Sequence, residues 1–306
     1  MLISAGFYVS DLYSNRLTGF DIVARRDDSL LIIKALTNID SLSEDVAKEL
    51  KTLSFLLKGN PILVGEKNSI ENLEEDVVYF RFGINAITLD TLKNHLLEGL
   101  PIKVYAAPGG LYVNLDTQEL IRLRKERNIS LGTFAQTVNI SRRTVRMYEE
   151  GMNARVEVAS RIEELFDESV TTPIDILKYN FRKIFSQPSF QREIENIKEL
   201  QKEIFQLLSN VGYNIIPMDR CPFEALSQDK EKILLTCVQK YNSRLEKKAE
   251  VVGSISKITE KHAVLFTDKE VAKTNIKGTP LIAKKELKKV RDPEDVYNLI
   301  IERIID

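Results

Sequence analysis

Between residues 116 and 166 the chain has very little freedom in how it can fold. Serines stand at positions 130 and 141, and each is followed at once by a short amphipathic stretch. A hydroxyl in that position accepts a first-turn amide and so fixes where a helix starts. The pattern predicts helices over 118–127, 131–138, 142–149 and 156–166, with Asp116 capping the first, Asn139-Ile140 as a tight turn and Gly151 ending the third. Phe134, Ala135, Val138, Ile140, Val145 and Tyr148 share one core only if the second and third helices cross at a sharp angle. Ala135 falls at the crossing, where only a small side chain fits. Two short helices joined in this way form a helix-turn-helix unit.

Residues 120–151, LIRLRKERNISLGTFAQTVNISRRTVRMYEEG, resemble the DNA-binding domain of the lambda repressor and Cro class. The run around Ser141, Thr144, Val145, Tyr148, Glu149 and Gly151 carries that resemblance, which spans about fifty residues. Charge agrees with it. From Arg122 to Arg146 there are seven basic residues and one acid, whereas from Glu149 to Glu168 there are seven acids and two basic residues. Phosphate contact needs such a local patch, and binding through it weakens steeply with salt. In a docked helix-turn-helix the third helix lies in the major groove. Arg142, Arg143 and Arg146 are then the candidates for guanine edges, since a guanidinium pairs bidentately with O6 and N7. Thr144 and the helix start at Ser130 are phosphate candidates through hydroxyl and amide groups. The full candidate DNA-binding set is Ser130, Gln136, Ser141, Arg142, Arg143, Thr144 and Arg146.

The regions on either side of this block resemble each other. Gly6-Phe7-Tyr8, Phe20-Asp21 and the apolar run Leu30–Ala35 are followed, after about two hundred residues, by Gly212-Tyr213, Phe223-Glu224 and Ile233–Val238. A helix (43–57 against 245–258) and a strand (62–64 against 264–266) come next, and each copy closes with Gly, an apolar pair and a helix (83–92 against 278–287). The offset drifts from 206 to 203, 202 and 195 residues, each step falling in a loop. This pattern predicts an internal duplication. Only the second copy has a helix ahead of its Gly-Tyr, predicted over 191–209, so the first would present an apolar face for something to cover.

Asp21, a turn and a strand ending Ile32-Ile33-Lys34 resemble the core of the PD-(D/E)xK nucleases, in which an Asp on one strand and an acid two residues before a Lys on the next hold Mg²⁺. The match fails at the decisive place, because Ile32 stands where the second carboxylate belongs. In the second copy Glu224, Leu235 and Cys237 stand at the Asp, acid and Lys positions. Both units are therefore read as catalytically dead relatives of that fold, with Asp21 and Lys34 an ordinary ion pair. Over most of its length the chain also resembles a group of archaeal helix-turn-helix transcriptional regulators, through Phe20–Arg26, the hairpin Tyr105-Ala106-Ala107-Pro108-Gly109-Gly110-Leu111-Tyr112-Val113 and Pro173–Leu177. That resemblance implies sequence-specific DNA binding and no particular effector.

The expected architecture is α+β to α/β: a nuclease-like domain over 1–115, an all-α helix-turn-helix domain over 116–170, a linker over 171–190 and a second nuclease-like domain over 191–306. Net charge is −1, so no global basic field exists and DNA must be held by the local patch. Two cysteines and two histidines offer no zinc spacing or disulfide framework. No nucleotide-binding, hydrolase or metalloprotease motif occurs, and neither a membrane span nor a secretory signal is present. No enzyme activity, cofactor or metal is expected, and the expected location is the cytoplasm. The expected partners are double-stranded DNA and a second copy of the chain, because one such unit reads only about four or five base pairs. The competing readings are a metal-dependent nuclease targeted by its own DNA-binding domain, and an antitoxin-like or architectural DNA-binding protein.

Overall fold

The computed structural model describes residues 1–12, 18–179, 181, 197–230 and 232–305. The elements run β1 (Tyr8–Val9), β2 (Ile22–Arg26), β3 (Ser29–Asn38), α1 (Glu44–Leu57), β4 (Asn60–Lys67), β5 (Val77–Arg81), β6 (Ile84–Ile87), α2 (Leu89–Lys93), β7 (Val104–Ala107) and β8 (Gly110–Leu115). The helical block follows as α3 (Thr117–Glu126), α4 (Leu131–Thr137), α5 (Arg142–Glu149), the short β9 (Ala154–Arg155), α6 (Val156–Phe166) and β10 (Thr171–Thr172). Last come α7 (Glu199–Val211), β11 (Asn214–Pro217), β12 (Ala225–Asp229), β13 (Lys232–Val238), α8 (Arg244–Thr259), β14 (His262–Thr267), β15 (Asn275–Ile276), β16 (Thr279–Ala283), α9 (Lys284–Leu287) and α10 (Pro293–Ile305). Of the helix read over 191–209, residues 191–196 lie outside the described residues. The chain forms two units, one of Met1, Leu36–Leu42 and Ile62–Lys178, the other of Leu2–Ala35, Ser43–Pro61 and Tyr179–Asp306.

In the first unit β4 and β6 pair in parallel, β5 joins β6 antiparallel, and β7 joins β5 in parallel. The Pro108-Gly109-Gly110 turn then folds β8 back on β7, with Gly109 and Gly110 both at positive φ. Strands β9 and β10 both pair with β8. Helices α3–α6 enclose Leu120, Leu123, Phe134, Val138, Val145, Tyr148, Ile162 and Phe166, and strands β8 and β9 add Val113 and Ala154, with Val170 just ahead of β10. This core therefore reaches across residue 116, and the first part of the stretch read as a linker is strand. The reason is that α3–α6 alone leave an apolar side open, which the hairpin closes.

In the second unit β1, β2 and β3 form an antiparallel meander with Ile22 opposite Ile33. A six-stranded sheet is ordered β11-β12-β13-β14-β16-β15. The two nuclease-like segments share their pairings: β1·β2 and β2·β3 match β11·β12 and β12·β13, all antiparallel. Parallel β4·β6 matches β14·β16, and antiparallel β5·β6 matches β15·β16. Their turns agree as well. Phe82-Gly83 and Lys277-Gly278 are both two-residue turns with positive φ throughout, and α1 and α8 both end in a left-handed residue, Lys58 and Glu260.

Within the second unit the two segments lock together reciprocally. From the first, Arg25 donates to the carbonyls of Ile258 (2.6 Å) and Thr259 (3.3 Å) and pairs with Glu260, closing the negative end of α8. From α1, the Glu49 carboxylate accepts the amide of Arg220 at 2.7 Å and the thiol of Cys221 at 3.5 Å. Val23, Ala24, Leu31 and Ile32 of the first segment are fully buried, with only a short 3-10 turn (Ile3–Ala5) ahead of β1 where the second segment has α7.

Burial pushes the Glu49 carboxyl above its ordinary 4.5, and nearby Asp219 adds to the shift, against the hydrogen bonds that oppose it. A carboxyl that binds its proton more tightly folded than unfolded costs stability as it ionises. Stability should therefore be highest below pH 4.5 for this group and fall as pH rises through the folded-state value. Glu49→Gln should remove that component, which paired urea titrations across acidic to neutral pH will show.

Candidate nucleic-acid interface

Three local caps set the helices of the candidate site. Asp116 accepts the amides of Gln118 and Glu119, Ser130 accepts that of Thr133 (3.1 Å), and Ser141 accepts that of Thr144 (3.0 Å). Asn139 takes positive φ in the turn between α4 and α5, and the Ile140 amide returns to the Ala135 carbonyl. Val145 and Tyr148 then face the core, with 0% and 4% of their surface exposed. A helix that buries that face must turn Arg142, Arg143 and Arg146 the other way, and all three are exposed. Ser130, Gln136 and Ser141 are exposed as well, whereas Thr144 is half-buried.

Among the described residues, none of Arg142, Arg143 and Arg146 has a carboxylate partner. The Arg142 guanidinium lies across Gly132 of α4, where an added Cβ would come within 2.6 Å of it. The hydroxyls of Ser130 and Ser141 contact those of Thr133 and Thr144, each at 2.9 Å. These hydroxyls therefore serve the helix starts first, and the first-turn amides of Arg142 and Arg143 are the groups left facing outward.

The linear charge count overstated the patch. Arg122 bonds Glu119, Glu126 and Glu168, which holds the Glu119 carboxyl below its usual value. Arg124 is tied to Glu149 at 2.5 and 3.1 Å, with both side chains largely buried, and so braces α5 against α3. Arg127 donates to the carbonyls of Leu165 and Phe166 and reaches Glu168. Three of the seven counted cations are thus structural, and the cationic face narrows to α5 with Lys125. Two contacts of the stretch after α5 were passed over in sequence reading. Arg155, opposite Tyr112 in the β8·β9 pair, places its guanidinium beside Gly109 of the hairpin turn. Asn153 donates to the Tyr105 hydroxyl at 2.6 Å. The APGG turn and the loop after α5 were each visible in the sequence, but not their pairing.

The nuclease-like positions offer little to a metal. Asp21 accepts Lys34 Nζ at 3.0 Å on one oxygen and the Ala35 amide at 2.7 Å on the other. Ile32 is fully buried where a second carboxylate would be needed. In the second segment Glu224 accepts the Val238 amide at 2.7 Å, the counterpart of the Ala35 bond, and pairs with Lys248 of α8 in place of a strand lysine. Both carboxylates are committed to the protein, and among the described residues no group of three metal-ligating side chains occurs. These residues do not fit Mg²⁺. No helix among the described residues is long and apolar enough to cross a membrane.

Comparison with known proteins agrees with this division. Residues 1–102 match the family described as a PD-(D/E)XK superfamily domain, and residues 120–172 match the helix-turn-helix family. The chain is 38% identical to an HTH-type transcriptional regulatory protein of Methanosarcina acetivorans, over 99% of this chain and 94% of that one. Proteins with the same type of name from Methanocella arvoryzae and Haloquadratum walsbyi are 35% and 36% identical, with the same coverage. No solved structure matches.

Proposed function

The chain belongs to the family of archaeal HTH-type transcriptional regulatory proteins, and from that premise we propose that it binds a specific double-stranded DNA site as a homodimer, with α5 in the major groove. One observation carries this reading. α5 buries Val145 and Tyr148 and holds out Arg142, Arg143 and Arg146, exposed and unmatched by carboxylate among the described residues. Ser130, Gln136, Ser141 and Thr144 flank them, with the amides at the start of α5 placed for phosphate. Arg142, Arg143 and Arg146 divide between base edges and phosphate.

The domain assignment follows the function. Residues 116–170, closed by the β7–β8 hairpin and β10, carry the DNA contacts, and the duplicated nuclease-like units within 1–115 and 191–306 make the dimer interface. Matched pairings and turns support the duplication. The committed carboxylates of Asp21 and Glu224 and the buried Ile32 support a chain with no catalytic role and no cofactor. Such a regulator acts where the chromosome lies, in the cytoplasm. Selection of bound sites from random duplexes by the full chain tests the proposal. The expected yield is an inverted repeat with half-site centres about one DNA turn (~34 Å) apart. Recovery of unselected DNA would count against sequence-specific reading, and a lone half-site against the dimer.

A further inference from the structure

A cavity of about 1390 Å³ opens in the second unit between the start of α7, the end of β13 and the first turns of α8. That is larger than the ~300–1,000 Å³ usual for a small-molecule site. Its floor carries the Glu224–Lys248 ion pair, with both side chains mostly shielded. Around it stand Lys198, Lys240, Arg244 and Lys247, all exposed, with no carboxylate partner among the described residues. Four acids share the lining: Glu203 pairs with Lys284 at 2.5 Å and Glu224 with Lys248, which leaves the exposed Glu199, and Asp268, bonded by the Tyr241 amide and the Thr267 hydroxyl, against those four unpaired cations. Positive charge is therefore in surplus inside a concavity, where the field is focused and anions concentrate. Arg244, Lys247 and Lys248 follow one face of α8, a rigid helix whose amino end opens into the same space. At that end the Asn242 side chain accepts the Arg244 amide at 2.9 Å, so the cationic side chains, more than free amides, face the space.

This cation set is not a relic of the shared fold. At the offset of 202 residues, Lys240, Arg244, Lys247 and Lys248 correspond to Asn38, Leu42, Asp45 and Val46 in the first segment. Only the second segment carries it. We propose that this cavity is a binding site for a small molecule bearing two or more phosphates, of nucleoside-diphosphate size. Arg244 and Lys247 hold the phosphates from α8, Lys240 closes on them from the end of β13, and the Glu224–Lys248 pair forms the floor. The site stands on residues remote in sequence from α5 and does not depend on how DNA is read.

Isothermal titration calorimetry of the full chain with ADP, inorganic pyrophosphate and adenosine, at about 0.15 M salt, tests it. ADP and pyrophosphate should bind and adenosine should not. Arg244→Ala with Lys247→Ala should weaken ADP binding about tenfold or more, and both changes favour helix, so α8 is retained. Lys288→Ala with Lys289→Ala, exposed cations outside the cavity, should leave it unchanged. Absence of binding by ADP and pyrophosphate overturns the proposal. An equal loss in the Lys288 and Lys289 variant overturns it too, since the attraction is then diffuse. Displacement of ADP by a random-sequence duplex, with loss of that duplex in the Arg244 and Lys247 variant, would assign the cavity to nucleic acid instead.

Discussion

Replacing Arg142, Arg143 and Arg146 together by alanine should lower affinity for the selected duplex by about 3–6 kcal/mol, two to four orders of magnitude, with little change in thermal stability. Each arginine that reads a base is worth roughly 1–3 kcal/mol, and all three sit exposed on α5. Alanine is the best helix former, and none of the three side chains contributes to the core. Single lysine substitutions separate the roles. Lysine keeps the charge but loses the planar fork. At a base-reading position it should blur sequence preference, and at a phosphate position it should leave the preference intact. Fluorescence anisotropy against the selected duplex and single-base variants, with parallel circular-dichroism melts, gives both quantities. A triple variant that melts normally and binds as tightly as the parent would remove α5 from the interface.

The second large effect lies in the core beneath that helix. Phe134 is fully buried and stacks on Phe166 with ring centroids 5.6 Å apart. Phe134→Ala should destabilise the helical block by about 3–5 kcal/mol, the lost burial plus the cavity left behind. DNA binding should fall with it, because α5 is held in place by this core and by the Arg124–Glu149 brace. Urea denaturation followed at the helical signal measures the loss, and Phe134→Leu, which keeps most of the volume, should recover much of it. A loss below about 1 kcal/mol would mean that the site collapses around the change and that the stack matters little.

What sequence reading reached was local. The caps at Asp116, Ser130 and Ser141 act within three residues, so the starts of α3, α4 and α5 were legible. The hairpin at Pro108-Gly109-Gly110 was legible for the same reason, and the Asp21–Lys34 pair through its resemblance to the nuclease pattern. Repetition made the paired nuclease-like segments visible despite low identity, since turns and apolar periods outlast side chains. Interactions that close across the chain were not legible. A charge count along residues 122–146 cannot know that Glu149 and Glu168 fold back onto Arg122, Arg124 and Arg127. The lysine missing at Cys237 is supplied from α8 by Lys248, and Arg25 caps a helix more than two hundred residues away. Nor could the linear sequence show that Lys240, Arg244 and Lys247 gather around one cavity with Lys198 and Lys284.

Guanine N7 methylation interference on the selected duplex tests the central claim most directly, because that atom lies only in the major groove. Methylation of guanines within each half-site should block binding by the parent chain, and Arg143→Ala or its neighbours should lose sensitivity at one of those guanines. Binding that ignores N7 methylation throughout the site, yet fails when adenine N3 in the minor groove is methylated, would contradict the placement of α5.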